Sequence, residues 1–220
     1  MRNVRPTRSN VTSRAVLFAA LLVAPLGAAH AQTAEDLAAA CKGCHNPTAI
    51  SSDSANPIIW GQNAGYIYIQ LRDFSSGARK AKVDEPMHMM ATSLTDAQML
   101  ELADYVSKQP WPEVTPKGQP SAADIEEGGK VLATGGCGGC HANNFGGLFT
   151  APRLAGQTRA YLLATFQQFV NYERKNAPDM SNMIGLLPRD KLELMAAYLE
   201  TQKPTTPFVP LRGAEKAPAR

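Results

Sequence analysis

The chain has 220 residues, 44% of them apolar, with 22 basic and 19 acidic side chains and a formal charge of +3. Four of the basic residues, Arg2, Arg5, Arg8 and Arg14, lie at the extreme N-terminus, and the rest of the chain carries −1 without them. No basic face remains to neutralise a run of phosphates, which argues against nucleic-acid binding, and the length suits two small domains rather than one.

The N-terminal arginines precede an apolar run from Ala15 to Ala29, and Ala29-His30-Ala31 offers a small-x-small cleavage site. This pattern predicts an export signal over residues 1–31 and a mature chain starting at Gln32. A membrane anchor is the competing reading, but Pro25 and Gly27 interrupt the run, which is shorter than the ~20 residues that span a bilayer. No twin arginine precedes the run, so export in the unfolded state is the simpler route.

The first helix is predicted from about Ala34 to Lys42 after a Thr33 cap, with an acidic residue three positions beyond the cap. It delivers Cys41-Lys42-Gly43-Cys44-His45. A second helix covers about Ala64 to Ser75 with Ile67, Leu71 and Phe74 on one face. A loop with Met87, Met89 and Met90 leads to a third helix, which starts near Thr95, where Gln98 completes a capping box, and ends near Lys108. Residues 110–120 are rich in proline and read as a linker rather than a core element.

The series then repeats. A helix from about Ala122 to Thr134 follows Ser121 and leads into Cys137-Gly138-Gly139-Cys140-His141. A second helix covers about Arg159 to Tyr172 with Leu162, Phe166 and Phe169 on one face, a loop holds Met180 and Met183, and a third helix runs from Pro188 to near Thr201. The residues after 203 form a proline-rich tail, and no strand alternation stands out. The expected fold is therefore all-α: two tandem domains, 32–109 and 121–203, each of about three helices.

The halves align residue by residue. Cys41 and Cys137 are 96 apart; Pro57 and Pro152, Gly61-Gln62 and Gly156-Gln157, Tyr66 and Tyr161, Phe74 and Phe169, and Arg79-Lys80 and Arg174-Lys175 are 95 apart. Met87 and Met180, Met90 and Met183, Leu94 and Leu187, and Tyr105 and Tyr198 are 93 apart.

Four cysteines in an exported chain would ordinarily suggest two disulfides, but both pairs are C-x-x-C followed directly by His, the attachment signature of a c-type haem. Two thiols reach the porphyrin vinyl groups, and the next residue places an imidazole over the iron, which makes His45 and His141 the expected proximal ligands. A closed zinc site needs four ligands, and neither half offers more than two Cys and one or two His. A redox dithiol of the thioredoxin kind would need a βαβ context. Domains of roughly 80 residues have marginal cores, and a large apolar cofactor gives three short helices something to pack around. For the sixth position, the pattern Met-x-x-Met-x-x-x-Leu at equivalent places favours thioether ligation, which raises the reduction potential.

These residues resemble the cytochrome c4 type of dihaem periplasmic cytochrome, within the class I cytochromes c. The resemblance covers nearly the whole mature chain through both C-x-x-C-H motifs, Pro152-Arg153-Leu154-Ala155-Gly156-Gln157, the second helix and Met180-x-x-Met183-x-x-x-Leu187. It implies that Met87 and Met180 are the distal iron ligands, with Met90 and Met183 as runners-up, and that the carbonyls of Pro57 and Pro152 accept the proximal imidazole N–H groups. The first half departs from the pattern at Asn56-Pro57-Ile58-Ile59-Trp60, and His88 stands beside Met87 as an alternative ligand. Trp60 and Tyr68 are expected to pack on haem or core. Arg79 and Arg174, with the lysines that follow, suit helix-dipole compensation, pairing with haem propionates, or docking of a partner.

The reading that follows is a periplasmic electron carrier with two covalently bound haems, working between redox proteins such as a quinol–cytochrome c oxidoreductase and a membrane oxidase, with loose membrane association compatible. A cytochrome subunit of a dehydrogenase complex is the second reading. A dihaem peroxidase or sulfur-compound oxidase is the third, and it would need an open sixth position with acid and base groups beside it.

Overall fold

The computed structural model describes residues 32–79, 84–115 and 117–203. The export signal at 1–31, Lys80 and the tail at 204–220 lie outside the described residues. From Gln32 onward the chain forms one compact unit.

Helix α1 spans Ala34–Ala39 and tightens into a 3₁₀ turn at Ala40–Gly43. Strand β1 is Ala49–Ser51; α2 is Ala64–Ser76, α3 is Glu85–Thr92 and α4 is Asp96–Ser107. Strand β2 is Glu113–Thr115, followed by α5 at Ala122–Thr134, the single turn α6 at Gly138–His141, α7 at Arg159–Val170, α8 at Pro178–Gly185 and α9 at Leu192–Thr201. Thr33 with Asp36, Thr95 with Gln98 and Ser121 with Asp124 all form complete capping boxes, so the expected helix starts hold where local hydrogen bonding dictates them.

Three departures stand out. The methionine loops are helices: Pro86 and Pro178 sit in the first turns of α3 and α8, where the missing N–H costs nothing. Pro188 does not open the last helix but caps a 3₁₀ turn at Arg189–Lys191 that leads into α9. The proline-rich segment is also not a bare tether. Its β2 pairs in parallel with β1, Ile50 opposite Val114, and Lys117 donates its backbone N–H to Ser52 Oγ at 2.7 Å and its ammonium to Asp53.

Each half buries its own apolar cluster. The first gathers Trp60 from the segment before α2 with Ile67, Leu71, Phe74, Ala91, Met99, Leu102 and Val106 from α2, α3 and α4; the second gathers Leu132, Leu162, Phe166, Phe169, Ile184, Leu192, Met195 and Leu199 from α5, α7, α8 and α9. Helix α5 crosses α9 at very short range through Gly128, where a Cβ would lie 2.1 Å from the Leu194 carbonyl oxygen. A backbone atom cannot rotate away. Gly128→Ala is therefore expected to destabilise the second half by about 3 kcal/mol, the upper part of the range for overpacking, read as a fall in the denaturant midpoint of the holoprotein.

The halves meet along a seam that repeats its own contacts. Gln62 Nε2 donates to Arg153 O at 2.9 Å, and Arg153 N donates to Gln62 Oε1 at 2.7 Å. In the reciprocal place Gln157 Nε2 donates to Ile58 O at 3.0 Å, and Ile58 N donates to Gln157 Oε1 at 2.9 Å. Asn63 Nδ2 reaches Ala151 O and Thr158 Oγ1 reaches Ser54 O, at 2.7 and 3.0 Å. Equivalent residues of the duplicated unit thus clasp one another, with Gln62 and Gln157 both buried.

Candidate haem sites

At each motif the backbone closes a helical turn: His45 N donates to Cys41 O at 2.9 Å, and His141 N donates to Cys137 O at 3.1 Å. Residues four apart on such a turn share a face, so the first thiol and the imidazole point the same way. Cys41 and Cys137 pack against the two cores, Cys44 and Cys140 are exposed, and no disulfide joins them. Burial pushes the Cys41 and Cys137 thiols up, which keeps them protonated until they react.

The imidazoles are buried and oriented. His45 Nδ1 lies 2.7 Å from Pro57 O, and His141 Nδ1 lies 3.0 Å from Pro152 O. A carbonyl can only accept, so Nδ1 carries the proton and the Nε2 lone pair is left for a metal. Burial lowers the pKa of both rings, outweighing the opposing effect of the proline carbonyls, and holds them neutral. Trp60, fully buried, donates from its indole to His45 O at 2.6 Å and braces the first motif; its counterpart in the second half is Ala155. Tyr68 packs on the first core while its hydroxyl donates to Asp96.

Helices α3 and α8 pack on the same two cores as the first cysteines of the motifs. Met87, Ala91 and Leu94 pack on the first core at helical spacing, and Met180, Ile184 and Leu187 do so on the second. Met87 shares its cluster with Cys41, and Met180 shares its cluster with Cys137. Met90 is 40% exposed and Met183 48%, more than Met87 and Met180, although Met183 also borders the pocket of the second motif. His88 is about 100° around the helix from Met87, since one residue turns the helix by that angle, and its Nδ1 lies 2.6 Å from Phe74 O at the end of α2.

An apolar pocket enclosing about 70 Å³ opens beside the second motif, lined by Cys137, Cys140, His141, Phe166, Met180 and Met183 among others. Its apolar walls around one imidazole suit the face of a porphyrin. Apart from the residues that line this pocket, a buried cationic cluster lies between the halves. The Arg79 and Arg174 side chains are about 95% buried and stack on Phe74 and Phe169. Arg174 donates only to neutral groups, namely Tyr66 Oη, Gln70 Oε1 and Asn176 Oδ1, and Arg79 Nε has no partner although Asp84 lies 3.3 Å from its Nη2. Burial raises the Tyr161 phenol, yet the two guanidinium charges outweigh it and pull the group down to about 8. Surplus positive charge of this kind fits the carboxylates of a haem. Helix-dipole compensation does not describe these arginines, because their guanidinium groups lie in the interface. Among the described residues no three of His, Cys, Asp and Glu converge on a metal site of their own.

A helical core headed by a C-x-x-C-H turn, with a neutral imidazole and a partly buried methionine packed on the same core, defines a c-type cytochrome fold, and this chain has two. The sequence model of the family described as cytochrome c matches residues 31–110. Cytochrome c4 of Thiocapsa roseopersicina is 30% identical over 171 residues, covering 73% of this chain and 85% of that protein. A thiosulfate dehydrogenase electron acceptor of Stutzerimonas stutzeri is 32% identical over 177 residues, covering 75% and 80%. The crystal structure of reduced recombinant cytochrome c4 from Pseudomonas stutzeri superposes with a TM-score of 0.64 at 26% identity, over 79% of this chain and all of that one. The chain belongs to the cytochrome c4 family, and it is an electron-transfer protein with two covalently bound haems rather than an enzyme.

Gln62, Gln157, Tyr66, Tyr161, Gln70 and Asn176 were not singled out as functional from sequence. The first four stood in the repeat, which was the available signal; Gln70 and Asn176 gave none.

Proposed function

We propose that the chain is a periplasmic carrier in a respiratory chain, exported by a signal over residues 1–31, with cytochrome domains at 32–109 and 121–203 joined by 110–120. Cys41, Cys44, Cys137 and Cys140 form the thioethers, His45 and His141 are the proximal ligands, and Met87 and Met180 are the distal ones. The observation that carries this reading is the matched placement of neutral His and inward Met on the two cores. When bound, each haem supplies a one-electron ferric/ferrous couple. The chain does the rest: Pro57 and Pro152 orient the imidazoles, the apolar clusters exclude water, and the partly buried Met87 and Met180 would hold the iron from the other side, so that reduction would need little rearrangement.

Among the described residues no helix is long and apolar enough to cross a membrane. The proposed partners are a quinol-side donor and a terminal oxidase. A dehydrogenase donor is the second reading, favoured by the relative described as a thiosulfate dehydrogenase electron acceptor. Purification from the native cells separates the two. A free carrier is expected as a single polypeptide whose reduced form is reoxidised by oxidase-containing membranes; a stoichiometric second polypeptide and no reaction with the membranes would point to a dehydrogenase subunit.

A further inference from the structure

The seam and the proximal histidines share two peptide groups. The peptide between Pro57 and Ile58 has its oxygen 2.7 Å from His45 Nδ1 and its N–H donating to Gln157 Oε1 at 2.9 Å. The peptide between Pro152 and Arg153 has its oxygen 3.0 Å from His141 Nδ1 and its N–H donating to Gln62 Oε1 at 2.7 Å. In both cases the glutamine belongs to the opposite half. Each glutamine also donates to the carbonyl of the same residue, so its planar amide is held at two points and cannot swing away. Both glutamines are at most 3% exposed, which keeps water from competing for those groups.

A peptide group is polarisable along its length. A hydrogen bond accepted from its N–H makes its own oxygen a better acceptor, and chained hydrogen bonds strengthen one another where water is excluded. A better acceptor at the proline oxygen draws the Nδ1 proton further, and the imidazole becomes a stronger donor through Nε2. Stronger donation favours ferric iron over ferrous. We propose that Gln157 is a positioning and tuning residue for the haem held by His45, and Gln62 for the haem held by His141, each acting across the domain seam through one peptide group. The inference rests on His45 and His141 being the proximal ligands.

A residue that merely glues the halves together would disturb its own half, or both halves alike. A residue acting through this relay disturbs the other half. The decisive experiment measures both reduction potentials in the holoprotein, each assigned to its half through the hyperfine-shifted NMR signals of the haem and imidazole protons. Gln157→Leu removes the acceptor from the Ile58 N–H and is expected to shift the first haem's potential upward while the second stays in place. Gln62→Leu is expected to do the reverse. Gln157→Glu keeps an acceptor at the Ile58 N–H and adds negative charge, so it is expected to shift the first haem downward; it also serves if the leucine variant yields no holoprotein. Equal shifts at both haems, or a shift confined to the variant's own half, would overturn the relay. Absence of hyperfine-shifted His45 and His141 ring protons in the unaltered protein would overturn the ligand assignment, a separate failure visible before any variant is made.

Discussion

Changing Cys137 and Cys140 together to alanine is expected to give a chain with one covalent haem whose second half no longer unfolds cooperatively. The pocket beside these cysteines encloses about 70 Å³ before it widens toward solvent, and it is walled by Leu132, Phe166, Ile184, Leu187 and Met195, most of them from the second core itself. A cavity costs roughly 24 cal/mol per Å³, so leaving the enclosed part unfilled costs on the order of 2 kcal/mol, before the wider apolar lining left open to water is added. That is a sizeable part of the stability of a small domain. The buried Arg174 adds to the loss, because the partners it is seen to donate to among the described residues, Tyr66, Gln70 and Asn176, are all neutral. The measurement is a haem count with denaturant unfolding and limited proteolysis, and cleavage is expected first between residues 121 and 203. The first half is expected to lose stability as well, since Gln62, Asn63 and Ile58 bond to backbone or side chains of the second.

Met180→Ala is expected to lower the potential of the second haem by on the order of 0.1 V, a modest part of the ≈ 0.8 V range that axial ligands command. Thioether ligation stabilises ferrous iron, and its loss opens the sixth position to water or exogenous ligands. The same change at Met183 is expected to leave that potential nearly in place, because Met183 is half exposed while Met180 packs on the core with Cys137. Met87→Ala should act on the first haem as Met180→Ala does on the second, and His88→Leu should not. A redox titration with optical detection of the methionine-to-ferric-iron band checks all four variants.

The sites were legible in the sequence because their chemistry is local. Cys41, Cys44 and His45 lie on one turn, and the capping residues Thr33, Thr95 and Ser121 act within three residues of themselves. The duplication set Met87 against Met180 and Met90 against Met183 alike, and the family resemblance singled out the first pair. What the sequence did not disclose depends on contacts between distant segments. Strands of three residues, such as Ala49–Ser51, are too short to show an alternating pattern, and their pairing with Glu113–Thr115 spans the first domain. For Arg79 and Arg174 the sequence left helix-dipole compensation, propionate pairing and partner docking all open, and their burial in the seam could not be read from it. Gln62 and Gln157 were visible as a repeated Gly-Gln pair, yet their spacing gave no hint that each would grip the opposite half. Proline misled in both directions, marking loops where α3 and α8 begin and a helix start at Pro188 where a 3₁₀ turn intervenes.

The central claim is that both irons are closed between histidine and methionine and exchange electrons without exchanging ligands. Optical and EPR spectra of the purified holoprotein, recorded through a redox titration at neutral pH, test it most directly. The expected result is two haems per chain, both low-spin in the ferric state and both showing the weak methionine-to-iron charge-transfer band. A high-spin ferric signal from either haem, or consumption of added peroxide, would contradict it.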